Sequence, residues 1–275
     1  MNSDQESTVI KSSTLNDEVI VDSICRNMYA QYLRYGTTHT GSYNALPDVN
    51  LVRSGRPVFN YILGANFEPE QARNRVPEVT EMVRGWHVNT LWQIGPEAIL
   101  ADVSDLASEC GWLPISPCTG MAIKLDEPVP DVLLPDGLTI SAVNDKESLR
   151  TWVEIYFSAA PDEYKEAVFD IIRELGYGSH LPWTYYNGYI SGKAVTSGMI
   201  FIEAGVAGLY YIGTLPDYRK QGIGTAMTNY LLKQAQAQGH NLIVLQATDM
   251  GANIYRRLGF EEYCSIRMLL LKAQI

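Results

Sequence analysis

The stretch Gly208–Thr225, GLYYIGTLPDYRKQGIGT, constrains this chain more than any other. It opens as a strand rich in aromatic and β-branched residues (Leu209, Tyr210, Tyr211, Ile212) and breaks at Thr214, Pro216 and Asp217. Arg219-Lys-Gln-Gly222-Ile-Gly224 follows and runs straight into a helix. That helix carries Ile223, Ala226, Met227, Tyr230, Leu231 and Ala235 at helical spacing and stops at Gly239. Leu242-Ile-Val-Leu245 is then a continuous apolar run of the length of a strand buried on both faces. Strand, helix, strand makes a βαβ unit with a right-handed crossover.

The turn into that helix has one evident physical use. Two glycines let the backbone approach a ligand without Cβ obstruction, and the free N–H groups of the first helical turn, at the positive end of the dipole, are donors for an anion. An ordinary tight turn would show the same two glycines. The turn has neither G-x-G-x-x-G nor G-K-[ST], so it is not a nucleotide site of the dehydrogenase or Walker type.

R-x-x-G-x-G at Arg219–Gly224, preceded by IGTLPDYR and followed by QATDMGANIYRRLGF at Gln246–Phe260, resembles the GNAT superfamily of acyl-CoA-dependent N-acyltransferases. The resemblance covers roughly residues 137–272. It implies an α/β (α+β) fold with a mixed central sheet flanked by helices, and a coenzyme A pyrophosphate held by the amides of Gln221, Gly222, Ile223, Gly224 and Thr225, with Arg219 and Lys220 beside them. It further implies that the pantetheine arm pairs with the main chain at Ile212 and Thr214, around Gly213, that Asn253 contacts the cofactor, and that Tyr255 protonates the departing thiolate. A core or helix-surface role is the alternative for Tyr255, one of 17 tyrosines.

Acyl transfer from a thioester to an amine needs a neutral nucleophile, a donor for the developing oxyanion and a proton for sulfur. A strand amide near Ile212 would serve the oxyanion and a tyrosine hydroxyl the sulfur. The implied reaction is direct attack of an amine on acetyl-CoA in a ternary complex, with no metal. A non-catalytic acyl-CoA-binding module, or the same fold with another acyl donor, are the rivals. The general base stays open. Where several members of the family carry a carboxylate on the cofactor strand, this chain has Gly208. Glu203 at the end of the preceding strand, a water chain or an amine arriving partly deprotonated would each serve.

Composition narrows the partners. A formal net charge of −10 argues against nucleic acid or an anionic membrane and favours a cationic or amine substrate, although acidity also serves solubility. Cys25, Cys110, Cys118 and Cys264 have no metal-ligand or paired spacing and read as reduced thiols. The polar start MNSDQEST is not a signal sequence, and no apolar run approaches about 18 residues, so the expected location is cytoplasmic.

Along the chain, residues 1–15 read as a disordered tail and residues 16–130 as an N-terminal α/β domain. An amphipathic helix over Asp17–Tyr35 carries Val21, Cys25, Met28, Tyr32 and Tyr35, followed by a loop over Thr37–Asn50 and short strands in Leu51–Phe67. A helix from Glu68-Pro69 to Gly85, a strand at Thr90–Ile94, a helix over Glu97–Cys110 and a strand through Met121, Ile123 and Leu125 follow. This order repeats the C-terminal layout without its phosphate loop, as a degenerate GNAT-like half would, or an unrelated packing domain.

Asp126–Asp136, DEPVPDVLLPD, has three prolines and four acidic residues, so residues 131–136 are taken as a linker and 137–275 as the catalytic domain. There Leu138–Ala142 reads as a strand. Asn144 with Glu147 suits a capping box, and Leu149, Trp152, Val153, Tyr156 and Phe157 form the buried face of the helix it opens. A second helix from Pro161 to Gly176 and two strands joined at Ser191-Gly192 lead to the cofactor strand. Trp183, Tyr185, Tyr186 and Tyr189 with Tyr210 and Tyr211 divide between core and an aromatic wall for an amine. An exposed sheet edge or the N-terminal half offers a homodimer surface.

Overall fold

Apolar spacing and glycine or proline punctuation set the elements of the chain, whose computed structural model describes residues 16–96, 98, 103–178, 180–203 and 205–273. The elements are α1 (Asp17–Leu33), β1 (Ser42–Ala45), β2 (Asn50–Arg53), β3 (Tyr61–Leu63), α2 (Pro69–Arg84), β4 (Thr90–Ile94), α3 (Val103–Glu109) and β5 (Leu113–Lys124). They continue with β6 (Leu138–Ala142), α4 (Lys146–Tyr156), α5 (Asp162–Leu175), β7 (Trp183–Ile190), β8 (Lys193–Glu203) and β9 (Val206–Thr214). The chain closes with α6 (Ile223–Ala237), β10 (Leu242–Ala247), α7 (Asp249–Arg257) and β11 (Glu261–Leu271). The expected tail at residues 1–15, and the first part of the helix expected from Glu97, lie outside the described residues.

The chain divides into two compact units that interleave along the sequence. Among the described residues, one comprises those within 16–28, 120–165 and 176–263, and the other those within 29–119, 166–175 and 264–273. The sequence reading put the division at 131–136. The N-terminal half runs three antiparallel-paired strands and the C-terminal half four, each set followed by a helix, a parallel strand, a helix and a last strand. The last strand of each half reaches into the other half's unit: residues 120–124 of β5 fall in the first unit and residues 264–271 of β11 in the second.

In the second unit, β1, β2 and β3 pair antiparallel, β3 pairs parallel with β4 across α2, and β11 lies antiparallel to β4. Its core holds Ile62, Val76, Val79, Trp92, Trp112 and Leu269. Trp92 and Trp112 meet edge-on at 5.3 Å, their indole N–H groups donating to Gly64 O at 2.8 Å and Thr80 Oγ1 at 2.9 Å. The helix following β3 begins with Pro69, which has no N–H, between Glu68 and the first-turn Glu70. That helix start disfavours an anion, in contrast to α6.

In the first unit, β6, β7, β8 and β9 pair antiparallel in order, and β10 pairs parallel with β9. Helix α6 covers one face, packing Met227, Leu231 and Ala235 against Ile200, Ala207, Leu209, Ile243 and Leu245. The hairpin between β7 and β8 turns at Ser191 (φ 50) and Gly192 (φ 78), the two positive values of a tight primed turn.

Several local expectations change in the structure. Strand β1 forms inside the expected loop Thr37–Asn50, with all four residues exposed. The capping box of α4 is one residue later than expected: Asp145 accepts from Ser148 N–H at 2.7 Å and Ser148 Oγ returns to Asp145 N–H at 3.2 Å. Ile155 takes the buried place given to Tyr156, which is 39% exposed. The proline-rich segment is strapped along α6: Asn229 Nδ2 donates to Pro130 O at 3.1 Å, Gln236 Nε2 to Glu127 O at 2.9 Å, and Lys233 pairs with Asp131.

The buried side of α1 carries two amides, Asn27 and Gln31, beside Ile20, Ile24 and Met28. Asn27 Nδ2 donates to Val206 O at 3.1 Å, and its Oδ1 accepts from the Tyr210 hydroxyl at 2.7 Å. Both groups occupy the space a side chain at Gly208 would need: a Cβ there would lie 2.0 Å from Asn27 Oδ1 and 2.4 Å from Tyr210 Cε2. Gly208→Ala should therefore cost about 1–3 kcal/mol in denaturant unfolding by overpacking, and an unchanged midpoint would contradict this packing.

Candidate active site

The site grows from a fork in the sheet. β9 and β10 pair at Ala207↔Ile243 and Gly208↔Val244, whereas β9 continues to Thr214. Within β9 the register against β8 slips between Ser197 and Met199, where Tyr211 takes φ 52. This is a bulge: one added residue that re-aims the strand. Beyond it, Tyr211 O accepts from Ser197 Oγ at 3.2 Å and Gly213 O from Thr196 Oγ1 at 2.7 Å, both on the β8 side. Alternation along a strand then turns the main-chain groups of Ile212 and Thr214 to the side that β10 has left.

Thr214 leads to the loop. Arg219 Nε donates back to Thr214 O at 3.0 Å, and Gln221 Nε2 to Asp217 O at 3.1 Å, which holds the loop on itself. Lys220 (φ 60) and Gly222 (φ 79) take left-handed conformations that curl the backbone into the helix. Gly222 is the N-cap of α6 and supplies no side-chain cap. The first helical bond runs from Ala226 N–H to Gly222 O at 2.9 Å, so the amides of Ile223, Gly224 and Thr225 precede the ladder. The Ile223 side chain is 1% exposed and packs with Leu138, Val195 and Ala226, leaving only its backbone for a ligand. A Cβ at Gly224 would stand 3.6 Å from Thr214 Oγ1 and 3.8 Å from Ile254 Cδ1, so the protein itself has room for one there.

Tyr255 lies on α7, half-buried, with its ring edge-on to Phe260 at 5.8 Å, and packs, as Ile212 does, against the cluster of Leu209, Leu245 and Phe260. Burial, with the Tyr156 phenol as second cause, pushes its hydroxyl pKa above the ordinary tyrosine value. Asn253 is exposed on the same helix, and its Oδ1 accepts from Arg256 at 2.7 Å. Glu203 closes β8 opposite Val206, six residues of β9 before Ile212, which is about 20 Å along the strand. That separation removes it as the base.

The aromatic residues divide more sharply than alternation suggested. Tyr185 and Tyr211 join Trp152 of α4 at 4.8 and 5.3 Å. Tyr186 faces Tyr230 of α6 at 5.5 Å, and Tyr210 turns to Phe201 and Asn27. The wall near the strand end thus includes Tyr156, Phe157 and Tyr164, linked by ring contacts of 4.9 and 5.6 Å. The sequence placed Tyr156 and Phe157 only on the buried face of a helix. The short spacing from Trp152 to Phe157 was the available signal.

An acetyltransferase (GNAT) domain model matches residues 178–262, which contain the fork, the loop and Tyr255. An acetyltransferase of Sodalis glossinidius is 30% identical over 109 residues, covering 38% of this chain and 75% of that protein. The chain belongs to the GNAT acetyltransferase family. A mycothiol acetyltransferase of an Arthrobacter species is 23% identical over 228 residues, covering 76% of this chain and 68% of that one. Among solved structures, a GNAT protein of Kribbella flavida superposes with a TM-score of 0.70 at 20% identity, over 91% of this chain and 95% of the other. As in the family, the fold is a mixed sheet flanked by helices. Among the described residues no group of three or more His, Cys, Asp or Glu is placed to hold a metal, and no helix is long and apolar enough to cross a membrane.

Two outcomes follow for this GNAT site. Gly224→Asp, which avoids the left-handed strain of Gly222, should leave the fold intact and abolish coenzyme A binding by calorimetry; unchanged affinity would remove the phosphate-loop assignment. An acid with a raised pKa stays protonated below its folded value, so thiol release should rise with pH as the amine deprotonates and show no alkaline fall up to about pH 9. A fall on the alkaline side below that point would contradict Tyr255 as the acid.

Proposed function

We propose that this chain is an N-acetyltransferase that moves an acetyl group from acetyl-CoA to a small-molecule or peptide amine by direct attack in a ternary complex. The observation that carries this reading is the continuity of β9 beyond its last pairing with β10, at Ile212–Thr214, with the uncapped first turn of α6. The pantetheine amides would complete the ladder that β10 abandons, and the pyrophosphate would lie on the N–H groups of Gln221–Thr225. Arg219 and Lys220 flank that position, and Asn253 would contact the cofactor if it exchanged its Arg256 partner. The cofactor would supply the activated thioester; the protein's part is to orient it and handle one proton.

The amine nitrogen attacks the thioester carbon beside Ile212, whose main-chain N–H faces the open side and would stabilise the oxyanion. The C–N bond would form first, placing charge on the carbonyl oxygen; on collapse the C–S bond would break and Tyr255 would give its proton to sulfur, while the proton lost by the amine would leave to solvent, from which Tyr255 would regain one. The second unit, whose corresponding helix start is proline-blocked and acidic, is read as a degenerate GNAT-like half that would not hold the cofactor in the same way. The acidic net charge supports an amine acceptor rather than nucleic acid or an anionic membrane, and a cytoplasmic setting with a homodimer completes the reading.

One observation favours a rival, a module that binds acyl-CoA without turning it over: Asn27 and Tyr210 fill the place of a side chain at Gly208. Calorimetric titration with acetyl-CoA and with free coenzyme A, followed by thiol release against a panel of amines, separates the two. Acetyl-CoA binding with release on one amine class is expected, and binding without release on any amine would leave the module. Tyr255→Phe should keep acetyl-CoA affinity and lower turnover about a hundredfold; full turnover would end its role as acid.

A further inference from the structure

Gln246 is the polar side chain in the apolar strand β10, LIVLQA. It lies two residues beyond Val244, the last residue of β10 paired with β9, and so sits where the two strands part. Ile243, Leu245 and Ala247 pack in the cluster that holds Met227 and Leu231 of α6, as do Ala207 and Leu209 of β9. Alternation therefore puts Gln246 on the opposite face of the sheet, with the buried Leu242 and Val244 of its own strand and with Gly208 and Tyr210 of β9. The residue is half-buried, yet its Nε2 is shut from solvent and has no hydrogen-bond partner among the described residues. The polar pair on that face is matched within itself, the Tyr210 hydroxyl donating to Asn27 Oδ1 at 2.7 Å. An amide donor left unmatched in a protein destabilises the fold, and an apolar side chain of similar size would avoid that cost. Its place at the fork supplies the reason: the donor is completed by a ligand and not by the protein.

We propose that Gln246 determines specificity for the acceptor: its Nε2 donates to an oxygen of the substrate, which is therefore an amine carrying a hydroxyl or carbonyl oxygen near the nitrogen and not a plain alkylamine. The inference rests on the reading of the fork as the site of acetyl transfer. The attacking nitrogen is excluded as the partner, because its lone pair forms the C–N bond and a donor placed on it would quench the nucleophile. The cofactor arm, on that reading, lies in the plane of the ladder that β10 leaves and pairs with main chain, whereas Gln246 projects from the face of the sheet. An oxygen of the acceptor is what remains. Discrimination then comes from the cost of leaving the amide unmatched whenever an amine without that oxygen is bound.

The test uses acceptors that differ by one oxygen-bearing group: phenylethanolamine against phenylethylamine for a hydroxyl, and phenylalaninamide against phenylethylamine for the carbonyl of a peptide terminus. The wild-type protein should favour the oxygen-bearing member of one pair by about tenfold or more in kcat/KM, and the pair that shows it separates the two sources of the oxygen. Gln246→Leu should abolish that preference while leaving phenylethylamine turnover and the acetyl-CoA KM within about twofold. With no unmatched donor to bury, it should also raise the thermal midpoint of the free protein by about 2 °C or more. Gln246→Met, unbranched like glutamine, should behave in the same way and serves where the leucine does not fold. A preference that survives in either folded variant would overturn the proposal, as would an equal loss on both members of a pair, a raised acetyl-CoA KM or a lowered midpoint in both variants. Wild-type turnover that does not distinguish the members of either pair would overturn it as well. Acetyl-CoA binding with thiol release on no amine would show instead that the acetyl-transfer reading has failed, and this inference with it.

Discussion

The parting of β9 from β10 after Gly208 is the constraint on which the rest of the site depends. A parallel pair that continued to Thr214 would consume the donors and acceptors that the candidate cofactor needs. Because the pairing stops at Val244 and a bulge at Tyr211 re-aims β9, the main chain of Ile212 and Thr214 turns to the side without a β10 partner, where Arg219 Nε donates to Thr214 O. Backbone polar groups seldom go without partners inside a protein, so an open strand edge directed at a phosphate-type loop has the character of a half-finished ladder. Gly222, in a left-handed conformation, then carries the chain from that edge into α6 with no cap of its own.

Around the fork, polar chemistry is sparse and specific. The position at Gly208 is closed by the Asn27–Tyr210 hydrogen bond, a buried pair that ties α1 to the end of β8 and the start of β9. Tyr156 stands at the other end of the same strand, its ring against Gly213 and half in solvent. Glu203 lies about 20 Å away along the strand.

Much of this could be read from the sequence, for identifiable reasons. The strand, loop and helix of Gly208–Thr225 were legible because glycine, proline and helical apolar spacing each punctuate them, and Pro69 and Gly85 bound α2 in the same way. β1 was missed because its four exposed residues give no apolar alternation. Asn144 and Asp145 are both good caps, and only the reach of Ser148 decides between them. The faces of the tyrosines could not be read through a bulge, since one added residue reverses the alternation at Tyr211. The strapping of Pro130 and Asp131 by α6, and the assignment of residues 264–271 to a unit far back in the chain, are non-local and leave no periodic trace.

The central claim is that the open edge of β9 and the first turn of α6 together hold coenzyme A. Amide hydrogen exchange with and without saturating coenzyme A tests it at the residues themselves. The account predicts that slowed exchange is concentrated at Ile212–Thr214 and Gln221–Thr225, with the amides of β3 and the start of α2 unchanged. Binding that protects other segments and leaves these two exchanging at the free rate would contradict it.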